Sequence, residues 1–358
     1  WLAERWGQFE SMFGSWTDPD PERFASPFLI DCANGFGATW LAAFLREHGV
    51  DCLEVSSPSA VLNEGCGAGD LSPTATWTHE EAKASPHQMI QALPSAPEGQ
   101  LVAAALDGDG DRCLLVQATK TGFAVVDGDA MAAMLLEAAA DHPWSFAASI
   151  ESDVALFGHA QNLNPDTTCT ETAVGDRWLS YALRPEDGGW LHGSTLPTCC
   201  GIEDSGHVVL PAPHPSAPDT WSLVGDGAAT LCAVLLAAAN RSGAVFERGH
   251  KRRVSVRDSR RERWTAASEV FAATRLQVTA ALEAEGFAVE QRHIEGEPDL
   301  LLMHGTSKHG VVSFGVRNSG TQAKTSLSMR LSRALDPRPF WAIQARVEDD
   351  LVNALTAP

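Results

Sequence analysis

The stretch Leu101-Val-Ala-Ala-Ala-Leu106-Asp107-Gly-Asp109-Gly-Asp111-Arg112-Cys113-Leu-Leu-Val-Gln117 sets the terms for the whole chain. Two short apolar runs, Leu101–Leu106 and Cys113–Gln117, predict buried strands on either side of a loop with a carboxylate at every second position. Asp107, Asp109 and Asp111 can converge on one hard cation, and the glycines let the backbone wrap around it. An EF-hand would place Gly at loop position six and Glu at position twelve; Arg112 and Ala118 stand there instead, so that reading fails. Three carboxylates with no partner repel one another, which disfavours a plain turn. All donors are hard oxygens, with no thiol or imidazole in the loop, so magnesium is the expected ion. Arg112, immediately after, suggests an anion such as phosphate shared with the metal.

Upstream, residues 1–20 have Trp1, Leu2, Trp6, Phe9 and Phe13 at roughly helical spacing, ended by Asp-Pro-Asp-Pro at 18–21. A strand over Pro27–Ile30, a helix to about His48 and a strand over Cys52–Val55 follow, then a loop-rich span over 56–78 and a helix over His87–Leu93. Downstream, Gly128–Ala140 is helical. Strands alternating with helices predict an α/β unit with a largely parallel sheet. The pattern then restarts: strand Ser145–Ile150, helix Asp153–Gln161, strand Thr167–Glu171, helix Val174–Leu183, a loop bracketed by Cys199–Leu210, and an Ala-rich helix over Gly225–Asn240. After a basic run, Arg248–Arg263, the rhythm changes to a long helix near Trp264–Glu285, four strands at 287–293, 299–304, 310–316 and 326–332, and a helix to about Leu355. The expected architecture is two consecutive α/β domains, 1–143 and 144–250, and a smaller α+β domain, 251–358.

The chain has 358 residues and a net charge of −20. The charge is unevenly spread: residues 1–246 carry 9 basic and 32 acidic side chains, whereas 247–358 carry 17 and 14. Excess acid argues against a nucleic-acid partner. The basic run does not reverse this, because Asp258 and Glu262 interrupt it and no aromatic platform is interleaved; it reads as a hinge into the last domain and its exposed strand. The apolar run near Ala228–Ala239 is too short for a membrane span, so no membrane partner is expected. Eight cysteines with no CxxC pair argue against a zinc ribbon and for reduced thiols in a cytoplasmic protein.

Two further loops carry chemistry. Gly201-Ile-Glu203-Asp-Ser205-Gly206-His207 places Glu, Ser and His within five residues beside glycines, which suits hydrogen bonds to sugar hydroxyls; His207, directly before apolar Val208–Leu210, equally fits a structural histidine. Val316-Arg317-Asn318-Ser319-Gly320-Thr321-Gln322, at a strand end, offers Arg, Ser, Thr and freely oriented amides to a phosphate, with Lys324 adding charge.

In order and spacing these three loops resemble those of the α-D-phosphohexomutase superfamily: a magnesium loop DGDGDR, a sugar loop GExSGH and a phosphate loop RxSGTE. The first is identical here; the second differs in its leading Gly201-Ile202, and the third has Gln322 for Glu. Asp31-Cys-Ala-Asn-Gly35, Leu62-Asn63-Glu-Gly-Cys66-Gly67-Ala68 and Thr172-Ala-Val-Gly175-Asp176-Arg177 look more like the phosphoglucosamine mutase branch than the phosphomannomutase branch. The Asp-Ala-Asp and Asn-Gly-His loops of eukaryotic acetylglucosamine mutases are not present. The resemblance implies magnesium at Asp107, Asp109 and Asp111, and catalytic roles for Arg112 and His207. It implies substrate contacts from Gly175, Asp176, Glu203, Ser205, Arg317, Ser319, Gly320 and Thr321. The implied reaction moves a phosphoryl group between the 1- and 6-positions of a hexose phosphate through a hexose 1,6-bisphosphate. Phosphoglucomutase or phosphomannomutase activity is the alternative.

The family's phosphoryl-carrying serine sits in a TASHNP-like loop of an N-terminal domain, and no such loop occurs here. Ala84-Ser85-Pro86-His87 is a faint echo about twenty residues before the magnesium loop. The chain, which starts at Trp1, is therefore expected to correspond to the family's second, third and fourth domains, either with the serine domain in a longer protein or as a naturally shortened relative. A non-catalytic phosphosugar-binding relative is the rival reading, and it fits the same observation.

Overall fold

Leu101–Leu106, buried at every residue, is the third of six strands in the first sheet. The computed structural model describes residues 1–17, 20, 22–241, 246–320 and 322–356. Across this sheet the order is Cys52–Glu54, Phe24–Asp31, Leu101–Leu106, Cys113–Thr119, Gly122–Val126, Thr76–Thr78. The first three strands are parallel and the remaining pairings antiparallel. The sheet is therefore mixed rather than largely parallel. A two-residue turn at Lys120-Thr121 sends Gly122–Val126 straight back beside Cys113–Thr119, so no crossover helix is needed there.

The second sheet repeats the plan in the order Thr168–Thr172, Ser145–Ser149, Cys199–Ile202, Val208–Pro213, Thr220–Gly225, Leu191–His192. Cys199–Ile202 lies parallel to Ser145–Ser149 and antiparallel to Val208–Pro213. The acidic loop after Leu106 and the polar loop after Ile202 thus occupy equivalent places, each joining the third and fourth strands of its sheet. Each sheet then feeds a buried helix through an Asp-Gly step. Asp127 caps Gly128–Ala138 by accepting from the Ala130 N–H, and Asp226 caps Gly227–Asn240 by accepting from the Ala229 N–H.

The first helix is shorter than the sequence predicts, Leu2–Phe13. It ends where Gly14, at φ +95°, turns back to donate to Glu10 O, while Trp6, Phe9 and Phe13 bury its apolar stripe. Asp18, Pro19 and Pro21, the expected breakers, lie outside the described residues.

A third sheet, wholly antiparallel, runs His250–Arg257, Lys324–Leu331, Gly310–Asn318, Leu301–Ser307, Ala288–Arg292. Helices Glu269–Ala284 and Pro337–Thr356 pack on it around Trp264, Phe271, Phe314 and Val347. The first of these begins five residues later than expected. Ser268 accepts from the Phe271 N–H as its cap, and Trp264 instead fills the core. The chain forms two compact units, Trp1–Ser149 with Ala160–Thr170 and Gly175–Val245, and Ile150–His159 with Glu171–Val174 and Phe246–Pro358. Cys169 is half-buried and the other seven cysteines are buried; all are free thiols. Among the described residues no helix is long and apolar enough to cross a membrane.

Gly206 joins the polar loop to the strand after the acidic loop. It has φ +94°, and a Cβ there would sit 2.3 Å from Cys113 O. Gly206→Ala should cost on the order of 2 kcal/mol and lower the melting temperature by roughly 4–8 °C in a thermal unfolding scan. An unchanged melting temperature would show that the close approach is not a constraint.

Candidate active site

The acidic loop brings one carboxylate oxygen each from Asp107, Asp109 and Asp111 within 4.8 Å of one another. Their environments differ. Asp107 is buried, and Arg112 wraps back to donate to it twice, from its own N–H at 3.1 Å and from Nε at 2.5 Å. Burial pushes the Asp107 carboxyl up, but these bonds and the guanidinium charge outweigh it and hold it below the usual range. Asp111 goes the other way: burial and the charges of Asp107 and Asp109 raise it, against the pull of His207. A carboxylate raised by its own neighbours is one that a cation would relieve, and the all-oxygen donor set fits magnesium.

Within the same unit, the polar loop closes onto the acidic one. His207 Nε2 lies 3.1 Å from Asp111 Oδ1, and its Nδ1 lies 3.1 Å from Glu203 Oε2. The backbones meet as well, with the Cys113 N–H donating to Gly206 O at 3.0 Å and an isolated bridge between Arg112 and His207. Each helix that follows a sheet braces the other sheet's loop: the Gly227 N–H donates to Gly110 O at 2.8 Å, and the Gly128 N–H donates to Asp204 O at 3.1 Å. A Cβ at Gly227 would sit 2.4 Å from Arg112 O, and one at Gly128 would sit 1.8 Å from Glu203 O. Both positions therefore need glycine.

Glu203 is 5% exposed and organises its surroundings. Its carboxylate accepts from the Gly175 N–H, from Ser205 Oγ at 3.1 Å and from His207. Gly175 is thereby drawn to the polar loop, with exposed Asp176 opening the helix Asp176–Ala182 beside it. A carboxylate has about four acceptor directions, and three of Glu203's are taken by these bonds.

Residues that sequence reasoning did not place in the site stand behind the acidic loop. Asn63, at φ +59°, packs its side chain where a Cβ on Gly108 would sit. Asp31, fully buried, accepts from the Gly67 and Ala33 N–H groups, and His87 Nε2 lies 3.1 Å from Gly67 O. The Leu62–Ala68 stretch carried a signal in its Asn and glycines, but nothing local pointed to Gly108. Ser85, the echo of a phosphoryl-carrying serine, is buried, and its Oγ accepts from the His87 N–H, so it is not presented for transfer. The cavity beside the acidic loop, about 390 Å³, is flanked by Trp1, Phe36 and Trp40.

The phosphate-type loop belongs to the other unit. Arg317 ends the strand Gly310–Asn318, with Nε 3.4 Å from Glu151 and Nη1 3.5 Å from Glu297. Glu151 also pairs with Arg253 at 2.8 Å. Beyond Arg317 the Ser319 N–H donates to Lys324 O at 2.8 Å, and the Gln322 N–H donates to Ser319 Oγ at 3.2 Å. Gly320 is exposed; Thr321, the remaining expected ligand, lies outside the described residues.

The His207 bracket has a pH signature. Burial alone would lower the His207 pKa, but the bond to Glu203 and the charges of Glu203 and Asp111 raise it overall, and Glu203 is correspondingly lowered against its own burial. A raised histidine contributes stability that is complete below its ordinary value of about 6.5 and lost as pH climbs through the raised one. A lowered carboxyl contributes above its ordinary value and is lost as pH falls through the lowered one. In chelator-treated protein, His207→Gln should depress the melting temperature most between these limits, with the gap from wild type narrowing as pH rises above about 6.5. A gap that stays constant to alkaline pH would refute the charge assignment.

No family model matches the chain. It is similar to the phosphoglucosamine mutase of Kineococcus radiotolerans, 32% identical over 192 residues that cover 51% of this chain and 35% of the relative. It is also similar to that of Thermobifida fusca, 31% identical over 221 residues covering 60% and 40%. The chain thus spans well under half the length of these curated relatives. In fold it is similar to Aspergillus fumigatus N-acetylphosphoglucosamine mutase in complex with GlcNAc-6P and magnesium, with TM-score 0.63 and 16% identity, covering 99% of this chain and 65% of that one. A second N-acetylglucosamine-phosphate mutase, described as an α-D-phosphohexomutase superfamily member in its product complex, aligns with TM-score 0.60 at 14% identity over 97% and 64%. The chain is thus similar in sequence to phosphoglucosamine mutases over part of their length, and in fold to N-acetylglucosamine-phosphate mutases.

Proposed function

We propose that the chain carries the metal, sugar and phosphate loops of a phosphohexomutase of the phosphoglucosamine mutase type. In this reading a hexose phosphate exchanges its phosphoryl group between the 1- and 6-positions through a hexose 1,6-bisphosphate. The observation that carries it is the closure of the polar loop on the acidic loop, through His207 between Asp111 and Glu203. That closure sets Glu203 and Ser205, which can bind hydroxyls, beside three carboxylates that would hold a cation for the phosphoryl group. The three sheets, one bearing each loop, support a three-domain division at 143/144 and 250/251.

Asp107, Asp109 and Asp111 would hold magnesium, which supplies charge neutralisation to a transferring phosphoryl group. Arg112, fixed by Asp107 through Nε, keeps its outer nitrogens for a phosphate oxygen. Ser205 and the remaining acceptor direction of Glu203 would take sugar hydroxyls, and Gly175 and Asp176 would line the same edge. His207, with both ring nitrogens on carboxylates, acts as an orienting cation in this reading, holding Asp111 and Glu203 at fixed spacing. Arg317, Ser319, Gly320 and Thr321 would grip the phosphate that is not reacting, so that binding energy is spent on orientation. Glu151 and Glu297 support this role by fixing Arg317 through Nε and Nη1. A phosphoserine borne outside these 358 residues is part of the reading, and the relatives' greater length and the burial of Ser85 support it. A cytoplasmic location fits the free thiols.

Magnesium titrated calorimetrically into the chain should bind weakly, and Asp109→Ala should abolish the signal, since Asp109 is the exposed member of the trio. Identical isotherms for the two proteins would remove the metal assignment. Arg317→Lys should keep the charge but lose the planar fork, weakening glucosamine 6-phosphate binding about tenfold. An unchanged dissociation constant would count against the phosphate grip.

A further inference from the structure

The loop that follows Arg317 is held from outside itself, by a residue of the basic run that the proposed function leaves without a role. Arg261 opens the short 3-10 turn Arg261–Arg263. Its Nη1 donates to three carbonyls of the phosphate loop: Ser319 O at 2.7 Å, Gly320 O at 3.2 Å and Gln322 O at 3.3 Å. The clasp is reciprocal, because Asn318 Nδ2 donates back to Arg261 O and to Trp264 O, both at 3.0 Å. Thr325 Oγ1 fixes the other end of that amide by donating to Asn318 Oδ1 at 2.9 Å.

The turn is a firm anchor even though Arg261 is exposed. The Arg260 N–H donates to Leu355 O at 3.0 Å, and Arg263 Nη1 donates to Ala354 O at 3.1 Å, tying the turn to the last helix. Trp264, which closes it, is fully buried and donates from Nε1 to Asp299 O at 2.9 Å. Gly320, by contrast, is exposed, and among the described residues beyond its chain neighbours no atom lies within 4 Å of where its Cβ would stand.

A trans peptide unit is planar, with its C=O and N–H pointing in opposite directions. Gathering the carbonyls of Ser319 and Gln322 onto one cation therefore turns the amides of Gly320 and Ala323 toward the opposite face. Donors turned to one face are what an anion needs from a backbone nest. We infer that Arg261 is a positioning residue: it does not touch the phosphate but clamps the carbonyls of Ser319, Gly320 and Gln322, so that the amides of Gly320 and Ala323 are already turned when phosphate arrives. This rests on the proposed phosphate-binding role of the loop and adds to it where the loop's order comes from.

The test uses the full chain and inorganic phosphate as the probe. Calorimetric binding, amide hydrogen exchange in the phosphate-free chain and melting temperature would be measured for wild type, Arg261→Ala, Arg261→Lys and Arg317→Ala. Arg261→Ala should bind phosphate about tenfold more weakly and exchange the Gly320 and Ala323 amides several-fold faster, with little change in melting temperature. Arg261→Lys should fall in between, because an ammonium donates without the guanidinium's fixed fork. Wild-type phosphate binding in Arg261→Ala, alongside lost binding in Arg317→Ala, would overturn the positioning role alone. Weakened binding with unchanged amide exchange would also overturn it, because Arg261 would then act by charge at a distance. Unchanged binding in both alanine variants would overturn the phosphate reading and this inference with it. Should Arg261→Ala fail to fold, the same measurements on Arg261→Lys decide.

Discussion

Three carboxylates held with their oxygens inside 4.8 Å of one another repel, and the first unit is arranged around restraining them. Two nitrogen-bearing side chains share the task from opposite directions. Arg112 takes Asp107 from within the loop, and His207 takes Asp111 from the neighbouring loop. Asp109 is left exposed. The residual repulsion appears as the upward push on Asp111, and a hard divalent cation is the natural counter-charge.

That restraint depends on a fold-level repetition. Two sheets of the same strand order place two loops at equivalent positions, and each loop is braced by the N-terminal glycine of the helix that follows the other sheet. A helix start has unpaired N–H groups, and a tight loop has unpaired carbonyls, so each satisfies the other. Any side chain at Gly128 or Gly227 would drive these pieces apart. The acidic and polar loops are therefore one object mechanically, although about ninety residues separate them along the chain.

In the second unit the logic is reversed: cations are restrained by carboxylates. Arg317 and Arg253 share Glu151, Glu297 holds the other side of Arg317, and buried Arg330 bonds Glu171 at 3.1 Å, Ser313 and Ser152 O. A guanidinium has five donors, so an arginine so held still has nitrogens to offer an anion, and it offers them from a fixed direction.

Much of this was legible in the residues alone. Apolar runs of strand length, the alternating carboxylates of 107–111, and the Gly-Ser-rich loops at 201–207 and 317–322 are local patterns, and local patterns survive in a one-dimensional reading. The repeated α/β rhythm and the change to grouped strands flanked by helices after residue 250 follow from the same periodicities. Strand direction was less legible. The short return at Lys120-Thr121 has no glycine, Asn or Asp at its two central positions, so the hairpin to Gly122–Val126 and the mixed sheet are weakly marked in the sequence. Only the tertiary structure decided which charges meet. His207 reaches Asp111 across 96 residues and Arg261 reaches Ser319 across 58, and no periodicity encodes a contact of that span. Composition and pattern depend on neighbours within a turn or a strand, whereas a hydrogen bond between distant loops exists only once two separately specified surfaces have been packed into register.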